Sequence, residues 1–153
     1  MAGGVYSFVD FLAAYTGSFG SFDMSSGGIA EEGITIAFDE DKASKVNGAD
    51  GDWMHSLHAS QGGTVTVRLL KTSPLNHTFS ALYNYETSSS AYYGRGTITC
   101  RNPVTGDLFV CLGCGLRKFP DNVNAKDGGT NEWVFNVGRI EPTLGNGNPT
   151  LAG

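Results

Sequence analysis

Three stretches of this sequence repeat with a period of two, and that period is the strongest constraint on its fold. Ile34, Ile36 and Phe38 alternate with Thr35 and Ala37, and Val65, Val67 and Leu69 alternate with Thr64, Thr66 and Arg68. Trp133, Phe135 and Val137 alternate with Val134 and Asn136. Successive side chains of a strand point to opposite faces, so each run reads as a strand with one buried face. Composition agrees: 22 Gly, nine Phe, six Tyr and two Trp suit a turn-rich β protein better than a helical bundle. Hydrophobic residues make up 40% and charged residues 16%, enough for a packed core and against disorder.

Further strands are expected at Tyr6 to Asp10, Thr97 to Arg101 and Asp107 to Leu112. The last two flank Asn102-Pro103-Val104-Thr105-Gly106, a turn with the Pro and Gly that a hairpin loop wants. One segment has a helical period instead. Ser73 is placed to cap, Pro74 suits the first position, and Leu75, Phe79, Leu82 and Tyr83 share one face. The spacing predicts an amphipathic helix from about Pro74 to Tyr85, ending in Ser88-Ser89-Ser90. The expected fold is mainly β, a small β-sandwich or barrel with one flanking α-helix. Residues 1–153 read as a single domain, with no linker and no internal repeat. Gly17 to Gly33, Asp39 to Gly63 and the tail after Pro142 do not read as core, and a loop of some 25 residues is usually functional or ordered by a partner.

The net charge of −5 argues against a general nucleic-acid binder, which presents a basic face. The acidic excess is concentrated: residues 1–52 hold nine carboxylates against Lys42 and Lys45. That bias fits a solvated surface, a surface facing a polyanion without binding it, or one meeting a basic patch on another copy. Met1-Ala2-Gly3-Gly4 lacks a positive n-region, and no run approaches the roughly 20 apolar residues that cross a bilayer. The expectation is a chain made in a cytoplasm, soluble and away from membranes.

The residues offer fragments of several chemistries and complete none of them. Cys111-Leu112-Gly113-Cys114 has zinc-knuckle spacing, with Cys100 and His77 or His58 as further ligands, but the second knuckle is missing and no metal is expected. Asp50 and Asp52 do not complete a calcium loop, because no Glu follows at the required offset. The C-x-x-C pair follows an extended stretch, unlike a redox pair at a helix N-terminus. In a regular strand Cys111 and Cys114 would face opposite ways about 10 Å apart, beyond disulfide reach. With Arg101 paired to Asp107, Cys100 falls opposite Leu108, which disfavours a bridge within the hairpin unless the strand kinks at Gly113. The thiols are then either buried and inert or bridged to other copies. No G-x-S-x-G elbow or phosphate loop is present, and His55 and His58 suit a turn better than a general base. The chain is expected to be neither an enzyme nor a cofactor binder.

Longer strings carry a resemblance. Glu31-Glu32-Gly33-Ile34-Thr35-Ile36, then Gly48-Ala49-Asp50-Gly51 with Met54-His55-Ser56-Leu57-His58-Ala59, resembles the tail tube protein of contractile-tailed bacteriophages. The likeness continues from Gly63 to Pro74 and returns at Ala125-Lys126-Asp127-Gly128-Gly129 and Glu132-Trp133. It implies a structural subunit of hexameric rings, stacked as the inner tube of a virion tail assembled in the host bacterial cytoplasm. The implied partners are other copies, the tail sheath, tape-measure, baseplate and tail-terminator proteins, with DNA passing through the lumen without specific binding. The implied fold is shared with the tube of type VI secretion systems. Residues 39–63 become an extended inter-subunit loop, with Trp53, Met54 and Leu57 as anchors beside Asp50 and Asp52, and 142–153 a C-terminal arm. The acidic half would line the lumen or pair with Arg68, Arg95, Arg101 or Arg117 of a neighbour. Cys100, Cys111 and Cys114 become candidates for inter-subunit disulfides that form after release. A tube of a phage-tail-like bacteriocin or secretion system is the near alternative, and a monomeric metal- or ligand-binding β-barrel the distant one.

Overall fold

The computed structural model describes residues 6–7, 10–24 and 29–145. The strands are β1 (Leu12–Gly17), β2 (Gly20–Asp23), β3 (Ile29–Phe38), β4 (Ala43–Asn47), β5 (Trp53–Leu57) and β6 (Gly63–Leu70). Helix α1 (Leu75–Thr87) follows, then β7 (Gly96–Asn102), β8 (Asp107–Leu116), β9 (Thr130–Val137) and β10 (Arg139–Thr143). One antiparallel path runs β2-β1-β7-β8-β9-β6-β3, with β10 also paired to β8, while β4 and β5 pair only with each other. The path folds over at β8, which pairs with β7 as far as Cys114 and with β9 through Gly115 and Leu116. The result is the mainly β, sandwich-like fold with one helix that the alternating runs require.

The alternating strands supply the core. Val65, Val67 and Leu69 of β6 and Trp133, Phe135 and Val137 of β9 are all buried, in cross-strand register Val67 to Trp133 and Val65 to Phe135. Helix α1 lays Leu75, Phe79 and Leu82 on that layer. The Phe79 ring meets Trp133 and Phe135 edge-on, at 5.5 and 5.7 Å between centroids. Asn76 fixes the start of the helix: its Nδ2 donates to the Leu70 carbonyl at 2.9 Å and its Oδ1 accepts from Trp133 Nε1 at 3.0 Å. The helix begins one residue later than expected, with Pro74 rather than Ser73 at the N-cap. Ser73 Oγ still accepts from the Leu75 N–H at 3.3 Å.

Five expectations are corrected. Among the described residues the first strand begins at Leu12, not at Tyr6; the Asp10 N–H donates to the Ser7 carbonyl, and residues 8 and 9 of the expected strand lie outside the described residues. Gly17 to Gly33 is not outside the core, because it contains β2 and the fully buried Met24. Asp39 to Gly63 is a strand hairpin rather than an irregular loop, and the chain past Pro142 starts inside β10. Residues 146–153 of the expected arm lie outside the described residues.

The fifth correction is the β7–β8 register. Asn102, not Arg101, pairs with Asp107, so Cys100 stands opposite Phe109 and Ile98 opposite Cys111. Asn102 Oδ1 accepts from the N–H groups of Val104 and Thr105 at 3.1 and 3.2 Å. That lets Asn102 start the turn while remaining in the strand. At the other end of β8 the register slips by one at Gly113, whose φ is 67°, a bulge geometry that glycine adopts at little cost. The bulge turns Cys114 inward beside Cys111, whose carbonyl accepts from the Cys114 thiol at 3.2 Å. All three cysteines are free and buried in the core cluster, so a bridge between copies would require these sulfurs to leave it.

Glu86 is the anomaly of this core. It lies on the apolar face of α1, 2% exposed. Oε2 accepts from the Leu116 N–H at 3.0 Å, and Oε1 has no partner. Its carboxyl is raised by burial, an effect the Leu116 bond only partly offsets. Its titratable neighbours, Tyr15 of β1 and Cys114 of β8, are also acids and are themselves raised by burial and by the Glu86 charge. A folded-state pKa above the unfolded one means that the folded chain holds a proton the unfolded chain releases. Stability is therefore predicted to fall as pH rises from about 4 through the raised value. Denaturant melts of Glu86→Gln should lack that slope, and Glu86→Ala should cost about 1–3 kcal/mol by leaving the Leu116 N–H unpaired.

Burial also raises the thiols, to about 12 for Cys100, about 11 for Cys111 and about 12 for Cys114. Native protein is predicted to take up no alkylating reagent at neutral pH. All three cysteines should label together in denaturant, as read by mass spectrometry.

Candidate assembly surface

Hairpin β4–β5 projects from the sandwich as an isolated ribbon. Its register runs from Ala43 opposite Leu57 to Asn47 opposite Trp53. At its root the Asp39 N–H donates to the Gly62 carbonyl at 3.1 Å and the His58 N–H to the Lys42 carbonyl at 2.8 Å. At its tip the Asp52 N–H donates to Asp50 Oδ1 at 3.1 Å, and Gly51 takes φ 93° to close the turn. Every residue of β4 is exposed, and Ser56 alone in β5 is half-buried.

The side chains on this ribbon do not match its surroundings. Trp53 is 68% exposed, Met54 60%, Leu57 80% and Val46 57%. Alternation places Trp53, His55 and Leu57 on one face with Asn47, Lys45 and Ala43, and Val46 with Met54 on the other. Apolar groups thus occupy both faces, and neither face is covered. Sequence reasoning found Trp53, Met54 and Leu57 but missed Val46. The cross-strand pair with Met54 was its signal, visible only once the segment is read as a hairpin.

The other singled-out residues are dispersed. Asp50 and Asp52 sit at the ribbon tip, directly before Trp53, while Cys100, Cys111 and Cys114 are in the core. His58 lies at the ribbon root and His77 on the exposed side of α1. Among the described residues no three His, Cys, Asp or Glu side chains are grouped to hold a metal ion.

The arginines fall into two kinds. Arg68 is held inside the subunit by Glu132 at 3.4 Å and Thr35 Oγ1 at 3.0 Å, and Arg117 by Asn136 Oδ1 at 2.9 Å. Arg95 donates to the Ala91 carbonyl at 3.1 Å. Arg101 is exposed and makes no ion pair among the described residues. The strand path ends at β2 and β3, whose outer edges have no partner strand among the described residues.

Comparison with known proteins gives this arrangement a context. One similar solved fold is a chain of the sheath–tube complex of an extracellular contractile injection system, PVC, in the extended state. It is 13% identical, covers 88% of each chain and superposes with a TM-score of 0.54. Another is a chain of the anti-feeding prophage cap, which terminates that particle's tube. It is 10% identical over 94% of this chain and 93% of the other, with a TM-score of 0.54. At these identities the likeness is one of fold. No curated protein sequence matches. The sequence does match the Bacteriophage PhiTE tail tube protein family over residues 3–145, nearly its whole length, and the chain therefore belongs to that phage tail tube family.

Proposed function

We propose that residues 1–153 form one tail-tube domain whose copies close into hexameric rings and stack as the inner tube of a virion tail, the conduit for genome delivery. The observation that carries this reading is the β4–β5 ribbon, which exposes Trp53 and Leu57 on one face and Val46 and Met54 on the other. An isolated two-stranded ribbon is marginal in water, and large exposed apolar groups mark an interaction surface. The free edges of β2 and β3 supply the complementary need, since rings that continue the sheet from copy to copy leave no edge unpaired.

The role is structural and non-catalytic. Asp50 and Asp52 extend the contact as polar rim, with Trp53, Met54 and Leu57 as its buried anchors. The sheath and the tube terminator are the outer and end partners, in keeping with the sheath–tube complex and the tube-terminating cap whose folds this chain resembles, and tape-measure and baseplate proteins complete the set. The acidic surface suits a channel through which DNA slides without adhering. Cys100, Cys111 and Cys114 act as small core residues under this reading. The similar folds come from contractile injection systems, so a tube of that kind is the second reading, and capsid and portal genes beside this one decide for the phage.

Negative-stain microscopy of the concentrated protein should show six-fold rings or hollow tubes, and a monomer at every concentration would overturn the proposal. The protein carries its own reporter of the contact. Of its two tryptophans, Trp53 is exposed and Trp133 is 1% exposed. Acrylamide should quench one tryptophan in the free subunit and none in the assembly. Trp53→Ala is expected to raise the concentration needed for assembly by about tenfold or more, measured by sedimentation.

A further inference from the structure

Among the described residues one side of the sandwich is left uncovered. Helix α1 covers the end where Phe79 meets Trp133 and Phe135. Between β3 and the β7–β8 hairpin lies a cavity of about 260 Å³. Its walls are apolar: Phe11, Ile34, Ile36 and Phe109, all half-buried. One wall also carries Asn102, 2% exposed, whose Oδ1 serves the turn. Arg101 stands at the rim without an ion pair among the described residues, and the other rim charge, Asp107, accepts from the Gly145 N–H at 2.7 Å.

We infer that this cavity is a socket for the β4–β5 ribbon of a second copy, entered by Trp53. The inference rests on the tube reading and names the site that receives the contact. Two features match. The ribbon is the described segment that combines exposed apolar side chains with no strand partner beyond itself. Asp50 and Asp52 directly precede Trp53, so a Trp53 ring in the socket brings the two tip carboxylates to Arg101, which makes no ion pair among the described residues. Each arm of five residues reaches about 17 Å, enough to span a rim and enter. Protrusion and socket lie on different parts of one surface, the head-to-tail arrangement that propagates from copy to copy.

The test pairs single-cysteine additions at the two halves. Asn47→Cys copies, which keep Trp53 and carry the new thiol opposite it on the ribbon, and Tyr6→Cys copies, Tyr6 being an exposed residue of the socket rim, are mixed under mild oxidation, and free thiols are blocked before a non-reducing gel. The mixture should give a disulfide-linked dimer that neither copy gives alone, and the double variant a ladder. Separately, Arg101→Glu should raise the assembly concentration about five- to tenfold, and Asp52→Lys in the same chain should restore it. Wild-type tubes by microscopy without the mixed dimer would overturn the socket and leave the tube reading standing. Absence of rings and tubes from the wild-type protein would overturn both. If a chain ending at Gly145 makes Tyr6→Cys newly reactive in the monomer, the chain's own last residues fill the cavity and the inference falls.

Discussion

The fold turns on a single bulge. β8 carries β7 on one edge and, on the other, first β10 and then β9, and its register with β7 slips by one at Gly113 where the strand passes from one layer to the next. Gly113 makes the turn at φ 67°, where a residue with a Cβ would be strained. Three consequences follow from that one backbone state. Cys114 rotates into the core beside Cys111 instead of facing solvent. The Leu116 N–H is accepted by Glu86 of the helix rather than by a strand carbonyl. Gly96, opposite Cys114, leaves room for the Tyr15 ring, which packs where a side chain would otherwise stand.

What could be read from the sequence depended on whether an element buries a face within its own subunit. β6 and β9 alternate clearly because one face of each is core and the other is polar. β4 and β5 do not alternate, since no face of the ribbon is buried in the subunit and the period-two pattern has nothing to follow. Their family likeness was legible, but their strand character was not. The β7–β8 register was missed by one residue because Asn102 does the work of a turn residue with its side chain while its backbone stays in the ladder. Glu86 was missed for a different reason. It lies just past Tyr85, where the helix was expected to end, so its place on the apolar stripe four residues after Leu82 was not read. It is buried there because its carboxylate accepts from the Leu116 N–H at the end of β8.

The candidate surface divides in the same way. Trp53, Met54 and Leu57 were visible as large apolar residues in a polar stretch, and in the structure they are exposed on the projecting ribbon. The half-open cavity between β3 and β8 was not visible. Its residues, Ile34, Ile36 and Phe109, look in sequence like any inward-facing strand positions. Whether an inward position is sealed depends on which element lies over it, and helix α1 lies at the other end of the sandwich. Among the described residues, no element lies over Ile34, Ile36 and Phe109, which stay half-buried.

That exposure bears on how assembly is controlled. Were the ribbon apolar throughout, it would bind any exposed apolar surface and the free subunit would aggregate. The 39–63 segment instead carries five carboxylates against two lysines. The carboxylates keep free subunits soluble and apart at long range, where like charges dominate. In the proposed socket they would meet a cation, Arg101, which makes no ion pair among the described residues. Under that proposal apolar burial supplies the strength of the contact and the charges select its register. A stack of identical copies would need that separation of roles, because each copy has to reject every docking but the one that continues the stack.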